Sequence, residues 1–214
     1  MDAPWEHPDW YDLHDTTWTA GPEREPEHYR EAVIALPPLD GADHLVDAGA
    51  GTGKLAGLIA RSYPGLGRLT LLEPNVRKLA RAESRLREIL PAAEIAAVPH
   101  GLGEGRALGI QGATLAVVGS VFMPVMELRG GSLADGLRWL QASLADLRAM
   151  LAPRGWLYDL ETLAAPWVGG GRADPVRRLT MAELCGEIAS AGFASVECVY
   201  RFRDRVTLRA LRPE

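Results

Sequence analysis

The chain has 214 residues, 47% apolar and 24% charged, with a net charge of −5 at neutral pH. That length suits one sizeable α/β core and is short for two domains, and an acidic chain without a block of Lys and Arg argues against a nucleic-acid partner. No apolar run reaches membrane-spanning length and the acidic, Trp-rich start lacks a signal-peptide core, so no membrane association and a soluble cytoplasmic protein are expected.

The first twenty residues carry Trp5, Trp10 and Trp18 with Tyr11, His7, His14, Asp12 and Asp15. Solvated tails seldom hold so many aromatics, so this stretch is expected to pack on something, as a structural arm or as a homodimer contact. A helix over 26–36, with Tyr29, Val33 and Leu36 on one stripe, would join it to the sheet.

Residues 45–53, Leu-Val-Asp-Ala-Gly-Ala-Gly-Thr-Gly, run an apolar strand into a turn with glycine at every second position. Without side chains at Gly49, Gly51 and Gly53 the backbone can bend sharply and approach a ligand closely. The helix expected over 54–63 aims its unpaired N–H groups and the positive end of its dipole at that turn. A phosphate-cradling GxxxxGK[ST] loop would need glycine at 48 and Ser or Thr at 55, where Ala48 and Leu55 stand. The dinucleotide pattern GxGxxG would need glycine at 54 or 56, where Lys54 and Ala56 stand, which weakens NAD and FAD without excluding them.

A Pro64-Gly65 turn leads to a strand over 69–72 that ends at Glu73, about twenty residues past the glycines. An acid there is placed to accept hydrogen bonds from both hydroxyls of a ribose. The next elements are a helix over 77–90 with Leu79, Ala82 and Leu86 on one face, a strand over 94–98 and a buried strand over 113–118. An amphipathic helix over 133–151 is closed by Pro153-Arg154-Gly155 before a strand over 156–160. A helix over 181–191 then precedes a hairpin of 194–200 and 205–211 across Arg203-Asp204. This alternation predicts a doubly wound, seven-stranded, mostly parallel sheet whose last strand inserts antiparallel. Cys185 and Cys198 have a spacing that suits neither zinc nor a disulfide framework and are expected to be buried free thiols.

With an acid two residues before a GxGxG run, the segment resembles the first motif of the class I S-adenosylmethionine-dependent methyltransferases, [VL]-[LV]-[DE]-x-G-x-G-x-G, and Asp47 to Gly53 matches every defined position. The resemblance covers roughly 45–211, and Ala191-Gly192-Phe193 is similar to the family's turn before its sixth strand. It implies the Rossmann-like methyltransferase sheet, S-adenosylmethionine as cofactor and S-adenosylhomocysteine as product. It assigns Asp47, Gly49, Ala50, Gly51 and Gly53 to the cofactor turn, Glu73 with the adjoining Pro74 to the ribose, and Gly119 to the rim of the same site. Many relatives place an Asp after the third strand for the adenine amino group. Here the stretch reads Val-Pro-His-Gly-Leu-Gly-Glu over 98–104, so either Glu104 reaches the adenine, or backbone around Gly101 to Gly103 does while Leu102 packs on the ring.

In small-molecule relatives an N-terminal segment caps the cofactor, which divides this chain into a cap over 1–40 and a methyltransferase domain over 41–214. Tyr11 resembles the tyrosine that approaches the methionine carboxylate in that cap. A sulfonium methyl is already electrophilic, so the protein mainly holds a nucleophile in line with it. A base helps some acceptors, and the candidates are His14, His100 and Asp159. Asp159 and Glu161 share one face of the fifth strand, as an acid pair for a cation or a proton or as an ordinary solvated strand end. The loop 166–174, with three glycines, Trp167 and Arg172, is a second place for substrate contact. Amine-directed relatives often carry Asn/Asp-Pro-Pro-Tyr after the fourth strand, whereas Gly-Ser-Val-Phe-Met-Pro stands at 119–124.

The expected activity is O-, N- or C-methylation of a small-molecule acceptor, in secondary metabolism. A protein that keeps the cofactor site without transferring the methyl group is the second reading, and methylation of a macromolecule is a weaker third.

Overall fold

The computed structural model describes residues 6–13, 25–104, 109–128, 132–163 and 178–214. Seven strands form a sheet in the order β3-β2-β1-β4-β5-β7-β6, and the chain divides into two compact units, Met1–Gly101 and Leu102–Glu214.

In the first unit a short helix α1 (Pro8–Leu13) and helix α2 (Glu25–Ile34) precede strand β1 (His44–Ala48), helix α3 (Lys54–Ser62), strand β2 (Arg68–Leu72), helix α4 (Val76–Ile89) and strand β3 (Glu94–Val98). All three strands run parallel, with Leu45 opposite Leu69 and Leu69 opposite Ile95. Every residue of β1 is buried, as expected of a central parallel strand covered on both faces. The predicted stripe of α2 is buried through Tyr29, Val33 and Leu36, although the helix itself stops at Ile34. In α4 the buried residues are Leu79, Ala82 and Leu86, and Asn75 caps its start by accepting from the N–H groups of Arg77 and Lys78.

The second unit holds strand β4 (Ala113–Gly119), helix α5 (Phe122–Leu128), helix α6 (Leu133–Met150), strand β5 (Leu151–Thr162), helix α7 (Met181–Ser190), strand β6 (Ala194–Phe202) and strand β7 (Arg205–Leu211). β4 and β5 are parallel, and β7 lies antiparallel to both β5 and β6, as the pattern predicts. Capping boxes start α6, where Ser132 and Asp135 exchange hydrogen bonds, and α7, where Thr180 and Glu183 do.

Three expectations need correction. Pro153-Arg154-Gly155 does not separate helix from strand; it is an irregularity inside β5, where the register jumps from Ala113 opposite Leu151 to Leu115 opposite Trp156. Proline, which lacks an N–H, is tolerated at such a bulge, and Arg154 adopts φ 63° there. A Cβ on Gly155 would lie 2.9 Å from the carbonyl oxygens of Ala113 and Ala152, so the bulge requires glycine. Helix α5 is not among the elements that the sequence pattern predicts, because seven residues including Pro124 carry no periodic signal. Cys198 is exposed on β6, an outer strand of the sheet, and only Cys185 is partly buried.

No helix among the described residues is long and apolar enough to cross a membrane.

Candidate functional site

The glycine turn is tied to the end of the neighbouring strand. The N–H groups of Gly49 and Ala50 both donate to the carbonyl of Leu72, at 2.8 and 2.9 Å, and Gly53 N–H closes the turn on the Ala50 carbonyl at 2.8 Å. Gly49, Gly51 and Gly53 have φ of 80°, 52° and 77°, left-handed values that an L side chain rarely adopts. Gly53 has a second reason to be glycine: a Cβ would stand 3.0 Å from both Cα and Cβ of Ala82, so it lets α3 start against α4. Gly53→Ala is therefore expected to lower stability by about 1–3 kcal/mol. Gly65→Ala, whose Cβ would meet nothing within 4 Å, should leave it nearly unchanged. Equal melting temperatures for the two variants would contradict this packing.

Glu73, just after β2, bends back onto the turn. Its Oε2 accepts from Gly51 N–H at 3.0 Å and its Oε1 from Asn75 N–H at 2.9 Å, with the residue 8% exposed. The acid expected to hold a ribose is thus brought to the middle glycine of the motif, 22 residues away in sequence. Asp47, at 1% exposure, accepts from the N–H of Ala56 in the first turn of α3, which has no side-chain cap of its own at Gly53. Its Oδ2 has no partner among the described residues. Burial pushes the Asp47 carboxyl up to about 7, partly offset by the Ala56 N–H, with the nearby Glu73 charge adding to the rise. An orphaned buried carboxylate oxygen, left-handed glycines and a carboxylate at the turn fit a ligand rich in hydrogen-bond donors. An adenosyl group with an amino-acid tail has that chemistry.

The remaining residues of the expected site are spread over both units. Pro74 is exposed and separates Glu73 from the cap of α4, and Ala50 is buried within the turn. His100 and Gly101 lie just after β3, half-buried, with His100 N–H on the Val98 carbonyl at 2.8 Å. In the second unit Leu102 is buried; its carbonyl accepts from Trp139 Nε1 at 3.0 Å, and Gly103 N–H donates to Asp146 at 2.8 Å. Leu102 and Gly103 are therefore seated on α6. Glu104 is exposed, and Gly119 ends β4. Tyr11 belongs to α1, while His14 and the loop over 166–174 lie outside the described residues.

Asp159 and Glu161 are not a solvated strand end. Both are 0% exposed in β5, which continues to Thr162. Glu161 Oε1 accepts from the N–H groups of Val121 and Phe122, at 2.8 and 2.6 Å, and so caps α5. Its Oε2 and both oxygens of Asp159 have no partner among the described residues. Burial raises both carboxyls: Asp159 goes well above the ordinary range, with the Glu161 charge adding to the rise, and Glu161 goes up to about 7, partly offset by the N–H groups of Phe122, Val121 and Met123 and by the Arg178 charge. This pair therefore retains a proton more readily than ordinary acids. The sequence placed the two acids on one face; it carried no sign that the next helix would start on Glu161.

Sequence reasoning also missed the role of Asp12. Its Oδ1 accepts from Thr52 Oγ1 at 2.6 Å inside the glycine turn, and its Oδ2 accepts from Arg81 and Arg85 at 3.1 and 3.2 Å. The available signal was the spacing of Arg81 and Arg85, two cations one turn apart on the face of α4.

No family model and no curated protein matches the sequence. Solved structures do match in fold. The S-adenosylmethionine-dependent methyltransferase SibL aligns at TM-score 0.60 and 14% identity, covering 96% of this chain and 56% of SibL. The chain in complex with the Haloferax volcanii Trm112 methyltransferase activator aligns at 0.66 and 15% identity over 100% of both chains. This chain has the class I methyltransferase fold. The [4+2]-cyclase SpnF aligns at TM-score 0.59 and 18% identity over 86% of this chain and 80% of SpnF. The seven-stranded, mostly parallel sheet and the antiparallel β7 are the features that the sequence alternation predicted.

Proposed function

We propose that this chain is an S-adenosylmethionine-dependent methyltransferase acting on a small-molecule acceptor. The observation that carries the reading is the meeting of Glu73 with Gly51 N–H beside the buried, half-unpartnered Asp47. In this reading Glu73 accepts from the ribose hydroxyls, the left-handed turn of Gly49, Ala50 and Gly51 leaves room for the amino-acid portion, and Asp47 holds the turn in place through Ala56. In the same reading Pro74 and Gly101 add further contacts to the cofactor. The bound sulfonium supplies an electrophilic methyl group. What the chain must then add is orientation of the acceptor, and for a hydroxyl or acidic carbon a proton acceptor, for which His100, His14 and Asp159 are the candidates.

The acidic composition supports a small acceptor over a nucleic acid. Because the Haloferax volcanii structure is a complex with an activator, a protein partner belongs with this proposal, beside a homodimer formed through the aromatic N-terminal segment.

Calorimetric titration with S-adenosylmethionine, S-adenosylhomocysteine and NAD tests the cofactor. Micromolar binding of the two sulfur nucleotides without NAD supports the reading, and NAD binding alone overturns it. The fold of a [4+2]-cyclase favours one alternative, a catalyst that binds the cofactor without consuming it. Formation of S-adenosylhomocysteine during turnover of an acceptor separates the two.

A further inference from the structure

Helix α1 has six residues, too few to persist in water without tertiary support. Among its described side chains, polar contacts reach the two motifs already described. At its leading end the Glu6 carbonyl accepts from Asn75 Nδ2 at 2.8 Å and the Glu6 carboxylate accepts from the same group at 3.2 Å. Asn75 in turn donates its N–H to Glu73. Along the helix, Asp9 pairs with Arg81. At the trailing end the Asp12 carboxylate gathers Thr52, Arg81 and Arg85, with Lys54 Nζ at 3.8 Å. Arg85 also donates to the Thr52 carbonyl at 2.8 Å, so one guanidinium holds both the helix and the glycine turn.

Asp12 differs from an ordinary surface ion pair. Its side chain is 19% exposed, those of Lys54 and Arg85 are 20% and 27% exposed, and Thr52 is 1% exposed. Partly buried, multiply bonded carboxylates are held more firmly than exposed pairs, and bonds to an ionised partner are the stronger kind. Yet the attachment is charge-dependent, with one anion facing three cations, so it responds to salt as an apolar contact would not.

We propose that Asp12 is a positioning residue, an ionic latch that holds α1 against the cofactor-binding turn and slows escape of the bound cofactor. This rests on the reading of the Asp47–Gly53 turn and Glu73 as the S-adenosylmethionine site. It assigns to Asp12, Arg81 and Arg85 a role in residence time, distinct from direct contact with the cofactor.

The test is the rate of S-adenosylhomocysteine release from the full-length protein, measured by stopped-flow displacement at low and high sodium chloride. Wild type should release the nucleotide several-fold faster at high salt. Asp12→Ala should release it about tenfold faster at low salt, the effect of losing a charge-assisted, partly buried bond, and should lose the salt dependence. Asp12→Asn keeps an acceptor for Thr52 without the charge and should fall between them, which also covers the case in which the alanine variant folds poorly. Wild-type release that ignores salt, or Asp12→Asn release equal to wild type with a lowered melting temperature, would show that Asp12 only stabilises the fold and overturn the latch. Failure of wild type to bind the nucleotide would overturn the underlying cofactor reading, an outcome distinct from normal binding with unchanged release.

Discussion

Asp159→Asn is expected to stabilise the protein above neutral pH and to leave it nearly unchanged near pH 4. Asp159 is fully buried, neither carboxylate oxygen has a partner among the described residues, and Glu161 adds a second buried acid beside it. A carboxyl whose folded-state pKa is raised keeps its proton in the native chain while the unfolded chain loses it. Its contribution is therefore fully present below the unfolded value of about 4 and is lost as pH rises through the folded value. Asparagine cannot ionise, so the difference between wild type and variant should open from about pH 4 upward. It should reach about 1–3 kcal/mol, the cost of an unsatisfied buried polar group, or a rise of several degrees in melting temperature for a chain of this size. Asp47, raised to about 7, adds to the same decline in both proteins. His44, lowered to about 4 mainly by burial and then by Arg68, opposes it in both, since a histidine held neutral loses stability as pH falls from about 6.5. Neither affects the difference. Urea denaturation of both proteins from pH 4 to 8.5 reads it directly, and parallel curves would mean that Asp159 is solvated or paired. If Asp159 is also the acceptor-side base, the same variant should lose turnover with cofactor affinity intact.

Glu73→Ala should weaken cofactor binding by about 1.5–3 kcal/mol, or roughly 10- to 150-fold, because hydrogen bonds to an ionised group are the stronger ones. The same carboxylate ties Gly51 N–H to Asn75 N–H, so its removal also loosens the glycine turn and should lower the melting temperature of the free protein. Glu73→Gln separates the two effects. It keeps one acceptor oxygen and so should retain most of the stability while recovering only part of the affinity. Calorimetry showing unchanged affinity in Glu73→Ala would remove Glu73 from the ribose role, whatever the melting temperature does.

The turn at Gly49 to Gly53, the stripe of α4, the parallel order and the closing hairpin across Arg203-Asp204 were legible because each depends on neighbours close in sequence. A positive φ needs glycine where it occurs, a helical stripe repeats within a few residues, and a strand buried on both faces reads as an apolar run. Spacing placed Glu73 at the end of the strand after the turn, while its hydrogen bond from Gly51 N–H came only with the structure.

What the sequence determined by itself was thus the fold class, the position of the glycine motif and the acid that answers it. Tertiary structure alone decided the irregularity at Pro153 to Gly155, the start of α5 on Glu161, the exposure of Cys198 and the burial of Asp159. It also decided the capture of Asp12 by Thr52, Arg81 and Arg85, across 40 to 73 residues of chain. The physical reason is common to these cases. Whether a carboxylate meets water, an N–H at a helix start or a guanidinium depends on which segments the sheet brings beside it, and no local pattern of residue types encodes that neighbour.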